Sequence, residues 1–478
     1  MNKRLELLTS DEAHSIHETS LRILEEIGVN VPDQELLELL DQHGSMIDRK
    51  KQVAKIPEEL VKQTLAKAPK GFSLHGRSPS RQVVFGDGGM KFLSSGGQLN
   101  VVDPASRSRR LATRRDTTRG VKLGDALEHI NIVGAFAIPS DVPPRSADVV
   151  MYAELFSNTI KPVFGWIYSA EAANFILEMA EHLAGGPEEL RRKPLLMDFL
   201  EPISPLRLPV EGLGIMKVFC RRGLPVCFGP MVMAGATGPV TLAGAIAVEN
   251  AENLACITLA QLLRPGVPVL YGGLTHIMDP RLGSISFGSP EQGVMAAAII
   301  QVATRYGVPI HVNVGLTDAN LPDAQAGAEK ATSLLMAALA GAELSGHLGI
   351  AGTDQGACFE QLCVDDEIVA FVQRMLRSLE VNDDTLALDV TRRVGVGGSF
   401  LPQPHTARHT RSELWIPKLL NREIWDRWRE HGARDTPQRA HEMVEATLRN
   451  HAPEPLEKES RLFIEQTVAE AARKLAQF

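Results

Sequence analysis

The stretch GVPVLYGGLTHIMDPRLGSISFGSPEQGVMAAAIIQVATRYGVPIHVNVG, residues 266–315, holds one whole turn of a repeating unit. Gly266-Val-Pro268 makes a turn and feeds the apolar run 268–274. A helix-like stretch, 291–306, follows, and Gly307-Val-Pro309 opens the next apolar run, 309–315. Short apolar runs bounded by Gly and Pro read as buried strands. The same introduction stands at Gly223-Leu-Pro225. Working outward, apolar runs recur at 92–96, 131–138, 162–168, 195–201, 225–231, 268–274, 309–315 and 344–350, with helical segments such as 240–264 between them. From the second run onward the starts lie 31, 33, 30, 43, 41 and 35 residues apart. Strands that alternate with helices imply a parallel sheet, because parallel neighbours need a crossover connection. Eight such units imply an α/β chain folded as a (β/α)8 TIM barrel over residues 91–400. A doubly wound open sheet is the alternative. It usually carries a phosphate-binding glycine loop after its first strand, and none follows 92–96.

The flanks read differently. Residues 1–90 form an N-terminal helical lead-in: Thr9-x-x-Glu12 is a capping box, Ile16, Ile23, Leu24 and Ile27 follow at helical spacing, and Gly28 suits the stop. A second helix opens at IPEELVKQTLAKAP, with Pro57 in its first turn and Pro69 just past its end. Residues 401–478 form a polar, C-terminal helical region. Trp415, Trp425 and Trp428 lie at its start and are expected to pack it onto the barrel. No flexible linker separates these parts, so one compact unit is expected.

Composition narrows the function. Lys plus Arg total 50 against 58 Asp plus Glu, a net charge of −8, which argues against a nucleic-acid partner. No apolar run reaches the length of a membrane span, and the start carries no secretory h-region, so a cytoplasmic protein is expected. The five cysteines are odd in number, in no CxxC, and mostly in apolar segments, which fits reduced structural thiols. Cys358-x4-Cys363 lacks further ligands, so no metal bound by the chain itself is expected. HExxH, GxxxxGK[ST] and GxSxG are absent. Aromatic residues make up only 5% of the chain, so a site built from rings has few candidates.

In a barrel the site lies at the C-terminal ends of the strands. Those ends carry Gln98, Trp166 and Tyr168, Glu201, Tyr271 and His276, His311 and Asn313, His347 and Asp354. Trp166 and Tyr168 share parity, so both are expected to face one side. With Tyr271, Phe287 and Phe359 they could line one mouth and hold a ligand cation by cation–π attraction. Ordinary core packing is the competing role for each ring. His311 and His347 interrupt apolar runs on adjacent strands, which points to a site more than either histidine alone would.

Several segments together carry a family likeness: LRILEEIGVNVP (21–32), AKIPEELVKQTLAKAPKGFSLHGR (54–77), SGGQLNVVD (95–103), DAQAGAEK (323–330) and GGSFLPQPHTARHTRSELWIPKLLNREIWDRW (397–428). Over essentially the whole chain the sequence resembles the trimethylamine:corrinoid methyltransferase superfamily. The archetype carries pyrrolysine at the end of a late strand. The matching stretch here, Thr317-Asp318-Ala319-Asn320-Leu321-Pro322-Asp323, holds standard residues only, so the chain resembles the non-pyrrolysine branch, which includes glycine betaine:corrinoid methyltransferase. That resemblance implies transfer of a methyl group from a small quaternary amine to the cobalt(I) of a corrinoid (cobalamin) carried by a cognate partner protein. For such a substrate the strand-end positions offer Trp166, Tyr168, Tyr271, Phe287 and Phe359 as candidate cage rings and His311, His347, Asn313 and Gln98 as candidate hydrogen-bonding groups, while the resemblance places Asp318 and Asn320 beside the pyrrolysine-equivalent position. A homo-oligomer is compatible with it. Two other functions stay open: a TIM-barrel lyase in which Asp318, Glu201 or a histidine is general base, and a non-catalytic betaine-binding protein.

Overall fold

The computed structural model describes residues 4–476. Eight strand–helix units follow one another. They are β1 (Lys91–Ser94) and α1 (Arg114–Ala126), β2 (Val133–Gly134) and α2 (Ala147–Asn158), β3 (Val163–Phe164) and α3 (Ala170–Ala184), and β4 (Asp198–Leu200) and α4 (Val210–Arg222). The second four are β5 (Val226–Phe228) and α5 (Leu242–Leu263), β6 (Val269–Gly273) and α6 (Pro290–Thr304), β7 (Ile310–Val312) and α7 (Ala324–Ala340), and β8 (Leu344–Leu348) and α8 (Phe359–Leu376). Six strands make one curled parallel sheet in the order β4-β5-β6-β7-β8-β1, and β2 and β3 form a separate parallel pair. Single parallel bridges, Leu93 to Ile132 and Val163 to Leu196, link that pair to both edges of the six.

The Gly-x-Pro turns have a plain cause. Gly223, Gly266 and Gly307 all adopt positive φ, 72°, 83° and 64°, which ends a helix without a Cβ clash, and the proline two residues on leads into the strand. Inside the curl, Leu93, Ile132, Phe164, Met197, Cys227, Leu270 and Leu344 form one apolar cluster. A hairpin (Phe72–His75 with Gln82–Phe85) adds Leu74, Val83 and Phe85 to that cluster. It sits at the N-terminal ends of the strands, where the His75 amide donates to the Pro194 carbonyl at 2.7 Å.

The N-terminal region differs from a purely helical lead-in. Helices Ser10–Arg22, Gln34–Gln42 and Glu58–Leu65 are joined by a three-stranded antiparallel sheet, Val29–Asn30, Met46–Asp48 and Val53–Lys55, besides the hairpin. This layer covers α5: Ser20 donates its hydroxyl to the Ala247 carbonyl, and Thr64 bonds Thr258. Residues 240–264 read as an amphipathic helix, but α5, covered on both sides, is buried almost all round, its polar Glu249, Asn250, Glu252 and Asn253 included. At the other end, helices Thr436–Asn450 and Lys458–Leu475 pack on α8 and on α3. The tryptophan expectation is corrected in part. Trp415 meets Phe371 of α8, but Trp425 is 66% exposed and lies tilted against Trp428, their rings 5.1 Å apart, rather than on the body. All five cysteines are buried and free, as five structural thiols should be. Among the described residues no helix is long and apolar enough to cross a membrane.

Candidate active site

At the C-terminal ends of the strands five rings converge. Trp166 lies 5.4 Å from Phe164, 5.6 Å from Phe199 and 5.3 Å from His347, all centroid to centroid. Phe199 lies 5.9 Å from His311, and the two histidines are 6.3 Å apart. The local sequence makes this possible. A Cβ on Gly96 would fall 2.6 Å from the Phe164 ring, and one on Gly229 would fall 2.1 Å from Phe199 Cζ. Trp166 Nε1–H donates to the Gly97 carbonyl at 2.9 Å, which fixes the indole. His347 sits at φ 69° beside a register shift between Ser345 and Leu348. Such a bulge re-aims a side chain, and a strained non-glycine residue is a frequent mark of a functional site.

The electrostatics are uneven. Burial pushes His311 down to about 3 and His347 down to about 4, so both imidazoles are neutral at pH 7. The Nε2 atom of each has no hydrogen-bond partner among the described residues, while His311 Nδ1 faces Cys227 Sγ at 3.7 Å. Glu201 directly follows β4, two residues beyond Phe199. Burial, with the charge of Asp354 added, pushes it up to about 7. Burial pushes Asp354 itself up to about 6, against the hydrogen bond from Gln98 Nε2 at 2.9 Å. Clustered aromatic rings, with Glu201 and Asp354 close enough to influence each other's charge, suit a cation. Two neutral imidazoles can donate or accept a hydrogen bond without adding charge.

Two small sheets flank this place. One joins Met233–Ala234, His276–Met278 and Ile285–Ser286; the other joins Asn100–Asp103, Ser108–Leu111, Ile350–Ala351 and Gly356–Ala357.

Of the residues expected from sequence, Trp166, His311 and His347 stand together, with Gln98 joined through Asp354. Others are corrected. Tyr271 points to the helix layer, where its hydroxyl donates to Asn250 Oδ1 at 2.9 Å and its ring stacks on Tyr306. Phe359 starts α8 and packs between Phe136 and the Arg119 guanidinium. Tyr168 does not join the cluster with Trp166: it lies past the strand end, 43% exposed, its amide donating to Asp148. Phe287 packs on His276, in a separate cluster with Leu316 and Ile350. Asn313 faces a small cavity against α6, with Thr275 and Gln292. Asp318 is engaged in structure: it accepts from Ser286 Oγ, the Phe287 amide and Thr353. Asn320 is exposed beside Gly352. Sequence reasoning passed over Phe164 and Phe199. The signal was there, because each shares parity with a polar or aromatic residue two positions on, Trp166 and Glu201.

The family model described as trimethylamine methyltransferase (MTTB) matches residues 1–476. The trimethylamine methyltransferase MttB of Desulfitobacterium hafniense (strain DSM 10664 / DCB-2) is 35% identical over 448 residues, 94% of this chain and 90% of that protein. The glycine betaine methyltransferase of D. hafniense (strain Y51) is 33% identical over 473 residues, 98% of each chain. In fold, the Methanosarcina barkeri monomethylamine methyltransferase (MtmB) matches with a TM-score of 0.52 at 12% identity, over 98% of this chain and 92% of that one. The chain is a methyltransferase and belongs to the trimethylamine methyltransferase (MTTB) family.

Proposed function

We propose that the chain moves a methyl group from a small quaternary amine of the glycine betaine type to the cobalt(I) of a corrinoid carried by a cognate partner protein. The observation that carries this reading is the ring cluster of Phe164, Trp166 and Phe199 together with the Glu201–Asp354 carboxyl pair. Ring faces and carboxylates attract an ammonium head that cannot itself donate a hydrogen bond. Standard residues throughout 317–323 support a reaction without pyrrolysine.

The chemistry asks little of acids or bases. A quaternary nitrogen leaves as a neutral amine, so the methyl carbon is already activated toward in-line attack by cobalt(I). The nitrogen's positive charge fades along that path. Binding the cation therefore helps only as far as it orients the methyl group, and a modest cluster of rings serves better than a tight ion pair. His311 and His347, neutral and each with a free Nε2, supply hydrogen bonds to a substrate carboxylate, and Gln98 lies near enough to add another. The eight units act as one closed (β/α)8 barrel in this reading, a closure supported by the Leu93–Ile132 and Val163–Leu196 bridges. Lead-in, barrel and tail serve as one compact unit, and the partner docks over the strand ends.

Thermal denaturation with a ligand panel tests the binding step, since a ligand specific for the folded state stabilises it by mass action. Tm is expected to rise with glycine betaine, proline betaine, carnitine or γ-butyrobetaine and not with trimethylamine. A shift with none of the quaternary amines contradicts the reading. A corrinoid-independent acid–base enzyme is the second reading, and the Glu201 carboxyl, poised near neutrality, is the observation that favours it.

A further inference from the structure

Outside the strand-end site, one cluster unites residues from two separated short helices. Asp384 belongs to the helix Asp383–Leu386, and His405 and His409 to the helix Pro404–Glu413. The histidines are four apart and so share one helix face, with ring centroids 4.3 Å apart. Both Nε2 atoms turn to the same residue: His409 Nε2 is 3.0 Å from Asp384 Oδ2, and His405 Nε2 is 2.9 Å from the Asp384 carbonyl. One potential ligand atom from each residue lies within 4.8 Å of the others. Donors on a tetrahedral zinc ion with bonds of about 2.0–2.1 Å stand about 3.3 Å apart, so small side-chain turns suffice. Arg408 holds the other carboxylate oxygen, Oδ1, at 3.3 Å from its own, largely exposed, position; Oδ2 is engaged by His409, in the bond that a shared ion would replace.

The surroundings give such a site a purpose. Across the helices Asp383–Leu386, Leu388–Val394, Pro404–Glu413 and Trp425–Glu430, Val390 is the one buried residue. Apolar side chains of this segment face outward instead: Val381, Leu386, Val396, Leu401 and Ile416 are all well exposed. The buried Leu419, the Trp415–Phe371 contact and the Arg374 hydrogen bond to the Glu413 carbonyl hold the far end of the segment; helices this short, with almost no core of their own, gain from a further fastener nearer Asp384. A bound metal supplies one, because its binding free energy becomes folding free energy.

We propose that Asp384, His405 and His409 form a structural site for a divalent transition metal of the zinc class, which clamps the segment between the barrel and the C-terminal helices. Two imidazoles and one carboxylate suit zinc, cobalt(II) or nickel(II) over magnesium or calcium. The fourth position is left to solvent. The cluster escaped the sequence reading because the third ligand lies 21 residues before His405, in no motif spacing.

The test uses the full chain, stripped with chelator and titrated with Zn2+ against a chromophoric competitor, with Co2+ absorption as a second probe of geometry. One ion per chain is expected, together with Co2+ d–d bands of low coordination number and slower proteolysis within residues 380–413. His405→Ala and His409→Ala should each weaken binding by about tenfold or more, with an unchanged circular dichroism spectrum. Asp384→Asn should do the same and is the check if either histidine variant is unstable. Absence of saturable binding, or equal affinity in wild type and in the double histidine variant, overturns the proposal.

Discussion

Trp166 is fixed by its Nε1 hydrogen bond to the Gly97 carbonyl and by contacts with Phe164, Phe199 and His347, so its ring face is organised before any ligand arrives. Trp166→Ala is expected to weaken quaternary-amine binding by about 1–2 kcal/mol, the usual range for one cation–π contact. Calorimetric titration measures it, and an unchanged Kd removes Trp166 from the site. Glu201 brings a pH dependence of definite sign. Its carboxyl is pushed up to about 7, so it gains negative charge only as pH rises through that value. Affinity for a cation should therefore climb between pH 6 and 8. Glu201→Gln should flatten the climb and lower affinity at pH 8; a variant with the wild-type slope assigns the titration elsewhere. The same shift makes ionised Glu201 a cost to the ligand-free fold. Its favourable contribution is complete below the ordinary carboxylate range and is lost as pH rises through about 7. Trp166, His311 and His347 were legible in the sequence because a polar or bulky residue within an apolar strand stands out. Tyr271 was not. Both faces of β6 are apolar, so the pattern does not say which phase points inward, and Leu270 rather than Tyr271 took the inner face.

At the scale of elements, the site depends on where strands lack side chains. Gly229 follows β5, and a Cβ there would press on Phe199 Cζ at 2.1 Å. Gly229→Ala is expected to cost about 1–3 kcal/mol of stability by overpacking. It should also lower turnover more than Tm alone explains, because the ring must leave its place. Thermal denaturation beside steady-state kinetics separates the two effects; a variant with wild-type turnover shows that the Phe199 position is not critical. The Gly-x-Pro turns were readable because a positive φ and a proline leave a strong local mark. The strands of the lead-in were not: Val29–Asn30, Met46–Asp48 and Val53–Lys55 are two or three residues long, too short to display a period of two. The bulge that turns His347 was also invisible, since it depends on the register against β1.

For the molecule as a whole, one buried ion pair ties the late units together. Lys330 on α7 and Asp365 on α8 meet at 2.9 Å with no exposure. Lys330 also donates to the Gly315 carbonyl, and Asp365 accepts from the Gly349 amide and Gln361 Nε2. These bonds anchor the loops that follow β7 and β8. Lys330→Met would strand a buried carboxylate and should cost about 3–5 kcal/mol, read from denaturant midpoints. A loss under 1 kcal/mol would show that the anchor is dispensable. The eightfold repeat was legible at this scale because apolar runs recur at similar spacing and Gly-x-Pro turns open three of them, whereas the packing of the tail was not. Exposed Trp425 shows that a tryptophan in a polar helix need not face the body.

Methyl transfer itself tests the central claim. The full chain, its cognate corrinoid protein reduced to cobalt(I), and a panel of glycine betaine, proline betaine, carnitine, γ-butyrobetaine and trimethylamine are mixed, and the cobalt absorbance is followed as methyl–cobalt(III) forms. Turnover with at least one quaternary amine, with one demethylated amine released per methyl transferred and no reaction of trimethylamine, is the expected result. Consumption of no quaternary amine while the cobalt stays reduced, or turnover confined to trimethylamine, would contradict it.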